Sequence, residues 1–127
     1  MTKTEAMDLI DIKCGAARAA YITSAPGQEI TYMLKERDAR AYLEAGSPYD
    51  ATPYPLIYSE AQATETTPHN AAQIIVQMAQ QWQMIAAAIE GKRIYWKRQI
   101  SGSLDENVDA LLHIALDDLS ELFNFGG

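Results

Sequence analysis

Cysteine is almost missing from this chain: Cys14 stands alone among 127 residues, and one thiol cannot close an intramolecular disulfide. A disulfide-stapled scaffold is excluded, and synthesis in a reducing compartment is expected. Basic charge is also short, with ten Lys and Arg against seventeen Asp and Glu and a net charge of −7. A grip on nucleic acid or on an anionic membrane needs cations to neutralise phosphates, so neither partner is expected. No apolar run approaches the ~18 residues of a membrane span. The opening MTKTEAMDLIDIK lacks the continuous apolar centre of a signal peptide, which points to synthesis in the cytoplasm.

Sequence patterns that announce catalysis are missing too. There is no GxxxxGK, GxGxxG or HExxH. The two histidines, His69 and His113, are far apart in sequence, and neither lies in a context that would activate Cys14 or a serine as a nucleophile. His113 and Asp117 sit four apart, the spacing of a shared metal, but a zinc site needs three or four ligands, so a local His–carboxylate pair is the simpler reading. Asp105, Glu106 and Asp109 fall at a helix start, where the macrodipole favours acids. No catalytic residue, metal ligand or cofactor is assigned, and an enzyme is not expected.

What the chain does contain is helical periodicity. Thr67 suits an N-cap and Pro68 a first helical position, and no proline follows. Ile75, Met78, Trp82, Ile85 and Ile89 then recur at spacings of three and four, with Trp96 on the same face. A helix over 68–100 would be roughly 50 Å long and would need partners along its seam. These six residues are the expected spine, whether of the core or of an interface.

Four further helices are expected. One over 4–23 places Met7, Ile10, Cys14, Ala17 and Tyr21 on one face. Ser24-Ala25-Pro26-Gly27 is a turn signal, and the helix after it, over 27–45, offers two competing stripes: Ile30, Leu34 and Ala41, or Tyr32, Lys35, Ala39 and Tyr42. The proline-rich GSPYDATPYP reads as a loop, and a short connecting helix over 55–63 turns Leu56, Ile57 and Ala61 or Ala63 inward. Ser103 and Glu106 form a capping-box pattern opening a helix over 104–123. Its broad apolar stripe makes Leu119, Leu122, Phe123 and Phe125 candidate partner contacts. The basic group Lys92, Arg93, Lys97 and Arg98 matches a helix C-terminus and can pair with the acidic C-terminal helix. The expected architecture is all-α: one helical domain over 1–127, an elongated bundle with a long central helix, and a homo-oligomer through the seam.

The order of segments resembles small helical proteins or modules encoded in the tail and tail-fibre regions of bacteriophages and prophages. The pieces that carry the resemblance are ARAAYITSAPGQEITYMLKERDARAYL, the YP of TPYPLIYSEA, the long TPHNAAQ…KRQI helix and a short final helix, over about residues 8–118. The most distinctive positions are Arg18, Tyr21, Thr23, Pro26, Gly27, Gln28, Tyr32 and Lys35, then Trp82, Ile89, Glu90 and Arg93. The resemblance implies a virion tail or tail-fibre component, made in the host cytoplasm. It would act through contacts with copies of itself, as a dimer or trimer, and with other phage tail proteins. Two alternatives stand beside it: a tail-fibre assembly chaperone absent from the finished particle, and an acidic inhibitor of a host protein.

Overall fold

A computed structural model describes residues 1–21 and 28–124, and within them the chain is all-α, with no strand. The helices are α1 (Lys3–Tyr21), α2 (Gln28–Glu44), α3 (Pro55–Ala63), α4 (Pro68–Ser101) and α5 (Val108–Ser120). Short 3-10 turns at Asp105–Asn107 and Glu121–Asn124 flank α5. The turn expected at Ser24–Gly27, and Phe125, lie outside the described residues. The chain divides into two compact units, Met1–Ile22 with Met84–Gly127, and Thr23–Gln83. The long central helix α4 contributes its first half to the second unit and its second half to the first.

The first unit is a bundle of α1, the second half of α4, and α5. Ala6, Ile10, Cys14 and Ala17 of α1 pack with Ile89, Trp96 and Ile100 of α4 and with Val108, Leu112, Ala115, Leu119 and Leu122. The α1 periodicity explains its inward face: Ala6, Ile10, Cys14 and Ala17 recur every three or four residues, and small residues let the helices approach. Seven of the eight largest fully buried side chains belong here, with Ile57 the exception. At about 1.5–3 kcal/mol for each fully buried aliphatic side chain, most of the apolar stabilisation lies in this unit.

The second unit has a smaller core: Ala39 and Tyr42 of α2, Ala51, Ile57 of α3, and Ala72 and Ile75 of α4. Of the two stripes offered by α2, the one with Ala39 and Tyr42 turns inward, while Ile30 and Leu34 stay exposed. Lys35, on the inward stripe, reaches Glu60 of α3 at 3.0 Å. Polar contacts supplement the limited apolar burial. The Tyr42 hydroxyl donates to the Pro48 carbonyl at 3.0 Å, and its ring meets Tyr54 edge-on at 5.3 Å.

The start of α3 shows this most clearly. Tyr54 provides no side-chain cap, and the carboxylate of Asp38 on α2 accepts the free N–H groups of Leu56 (3.0 Å) and Ile57 (3.2 Å) instead. A carboxylate at a helix N-terminus satisfies two orphan donors and opposes the dipole. Asp38→Ala is therefore expected to lower the unfolding free energy by about 1–2 kcal/mol, as loss of an N-cap does. Urea titration of the two proteins measures this, and an unchanged midpoint would contradict the cap.

The ends of α2 and α3 share one pattern. At the end of α2, Gly46 (φ +85°) donates to Leu43 and Ser47 donates to Tyr42, the paired bonds of a Schellman turn. The end of α3 repeats it: Glu65 (φ +55°) donates to Gln62 and Thr66 to Ala61. Glu65 thus holds a left-handed conformation that favours glycine. Glu65→Gly is expected to raise stability by up to about 1 kcal/mol, read as a higher melting temperature.

The start of α4 is as the sequence indicates, with Thr67 Oγ1 accepting the Asn70 N–H at 3.1 Å. The capping box at Ser103 does not form. Its hydroxyl donates to the Ile100 carbonyl at 2.7 Å, closing the end of α4, and the following 3-10 turn begins after Leu104 without a side-chain cap. A hydroxyl between two helix ends can serve either, and here the preceding one holds it.

Candidate functional site

Where α1 meets the second half of α4, charged side chains form a connected layer along the edge of the first unit's core. Asp11 accepts from Arg93 Nη1 at 3.1 Å and from Lys97 Nζ at 2.8 Å. Glu90 accepts from Arg18 Nη2 at 2.7 Å and from Arg93 through Nε and Nη2 at 3.0 and 2.7 Å. Arg93 is the joint of the layer, because its planar fork reaches carboxylates of both helices. A second group links α4 to α5: Asp118 accepts from Lys92 Nζ and from the Trp96 indole N–H, each at 2.8 Å.

Each carboxylate is held in its charged form. Asp11 lies below the usual carboxylate range chiefly through its bond from Lys97, Glu90 through Arg93, and Asp118 through Lys92 and then Trp96. The Arg93 guanidinium is correspondingly raised, first by Glu90 and then by Asp11. A general acid or base works best with a pKa near the working pH, and this layer moves its groups away from it. Its chemistry suits fastening helices rather than transferring protons.

Other polar pairs stand apart from this layer. His113 Nε2 stands 3.8 Å from Asp117, both highly exposed. Among the described residues no group of three or more His, Cys, Asp or Glu is placed to hold a metal. Ser47 Oγ lies 2.6 Å from His69 Nδ1, tying the turn after α2 to the start of α4. That distance would suit a nucleophile and its base, but among the described contacts no third group orients the His69 ring, and His69 is exposed. An open groove beside the charged layer is lined by Met7, Arg93, Ile94, Lys97, Arg98 and Ser101. Among the described residues no helix is long and apolar enough to cross a membrane.

The expected spine does not act as one stripe. Ile75 enters the second unit's core, Ile89 and Trp96 enter the first unit's, and Ile85 packs at its edge. Trp82 is half-buried and Met78 is 59% exposed, so Met78 is no part of either core. The physical reason is that α4 serves two separate clusters, and each takes only the residues level with its own helices. Two of the candidate partner contacts are likewise internal. Leu119 and Leu122 are fully buried in the first unit, because α5 directs the centre of its broad stripe at α1 and α4. Neither is available to a partner. Phe123 is 39% exposed with Lys13 5.2 Å from its ring centroid.

Apolar residues also reach the surface in the second unit. Ile30, Met33 and Leu34 share the outer side of α2, and Ile74 and Met78 stand four apart on α4. The periodicity could locate these positions but not say which would be left uncovered. Comparison with known proteins adds nothing to this geometry: no protein-family model matches the chain, and no curated protein or solved structure does so.

Proposed function

We propose that this chain is a structural protein of the bacteriophage tail region, a tail or tail-fibre component that works through contacts with copies of itself and with other tail proteins. The observation that carries the reading is the work done by the positions of the phage-tail resemblance. Arg18, Glu90 and Arg93 form the layer that joins α1 to α4. The Tyr21 hydroxyl donates to the Leu122 carbonyl at 2.8 Å, Ile89 is in the core, and Lys35 ties α2 to α3. These residues hold helices together within each unit. That arrangement suits a module that works through its shape. Exposed apolar side chains on α2 and α4 supply surfaces on which such a module can act.

The reading is tested on purified particles of the phage that encodes the chain, by quantitative mass spectrometry against a tail-tube protein. A fixed stoichiometry is expected. Expression during infection without presence in the particle would overturn it in favour of an assembly chaperone or an inhibitor of a host protein.

A further inference from the structure

The first half of α4 differs from the rest of the chain in its chemistry. Between His69 and Glu90 there is no ionisable side chain, although 21% of the chain is charged. Within the second unit, the side of α4 turned away from Ala72 and Ile75 exposes Gln73, Ile74, Gln77, Met78 and Gln81. Ile74 is 53% and Met78 59% exposed. In contrast, α2 of the same unit carries Glu29, Lys35, Glu36, Arg37, Asp38, Arg40 and Glu44.

We infer that this uncharged face of α4 is where a second copy of the chain docks, related by a two-fold axis. The inference rests on the structural reading above and names the partner of one of its surfaces. A two-fold interface brings one patch against itself, so every residue near the axis meets its own kind. Charges of one sign would then be opposed, a severe handicap for two chains of net charge −7. The α4 face avoids it. Glutamine suits the same constraint because its amide both donates and accepts, and therefore satisfies a copy of itself. Ile74 and Met78, one turn apart, supply the apolar centre, and the glutamines border it. A foreign partner could equally well be recognised by charge; a self-complementary neutral face in an acidic chain is specifically suited to its own copy.

The test is sedimentation equilibrium of the full chain, comparing wild type with Met78→Glu and Gln77→Glu. Both positions are exposed, so the monomer should fold, which circular dichroism checks. Wild type is expected to dimerise, and either acid should weaken the dimer at least about tenfold by setting like charges together at the axis. Mixing Met78→Glu with Met78→Lys should restore association. Ile114→Glu, at an equally exposed apolar position on α5, should leave the dissociation constant unchanged. A wild-type dimer unaffected by both acids would overturn the α4 face while leaving self-association intact. A wild type still monomeric at on the order of 100 µM would overturn the pairing itself. The virion measurement fails or succeeds separately from either result.

Discussion

Replacing Ile89 with alanine is expected to lower the unfolding free energy by about 2–5 kcal/mol, the largest single effect foreseen for this chain. Ile89 is fully buried at the point where α1, α4 and α5 enclose one cluster. Truncation removes three methyl or methylene groups from contact and leaves a cavity that helices on both sides cannot fully close. Met84→Ala provides the comparison on the same helix. Met84 is 75% exposed, so its loss should stay within about 0.5 kcal/mol. Denaturant titration separates the two, and a loss below about 1 kcal/mol for Ile89→Ala would remove Ile89 from the core.

The second large effect is expected at Asp118. Alanine there takes the acceptor from the Lys92 ammonium and from the indole N–H of Trp96, whose side chain is almost entirely enclosed. An indole donor that loses its charged acceptor is costly, and a loss of about 1–2 kcal/mol is expected, since Asp118 is itself 34% exposed and water can reach its place. Asp118→Asn keeps one acceptor oxygen and should lose less. The same residue predicts a response to acid. Asp11, Glu90 and Asp118 are all held below their ordinary range in the fold, so their stabilisation is complete above the unfolded-state values. It is lost as pH falls through the lower folded-state values, that is, below about pH 4. Thermal melts from pH 7 downward should show a plateau and then a decline, shallower in Asp118→Asn because one of the three groups no longer titrates. Stability that rose on acidification would contradict the ion pairs.

The helices themselves were largely legible, and for local reasons. Pro55 and Pro68 mark the starts of α3 and α4, and Thr67 caps α4 as expected through its hydroxyl. The pairing of Lys92 with the acidic C-terminal helix was legible as well. What could not be read were bonds made across the fold. Asp38 looks like part of a solvated charge run, yet it caps a helix eighteen residues onward. Arg93 and Lys97, expected to face acids of α5, turn to Asp11 of α1 instead. Periodicity identifies the apolar face of a helix but not which part of its length will be covered. Hence Met78 and Leu34 are exposed, whereas Leu119 and Leu122 are enclosed.

The enclosed Cys14 has a use that follows from its position. Its side chain is fully buried between helices of the first unit, and desolvation pushes the thiol above its ordinary range. Only the thiolate is reactive, so a thiol reagent meets almost no competent target while the helices are together. Modification then waits for α1 to part from its neighbours. Because the chain carries no other cysteine, the speed of that modification is a clock for the opening of one bundle, built in without any label.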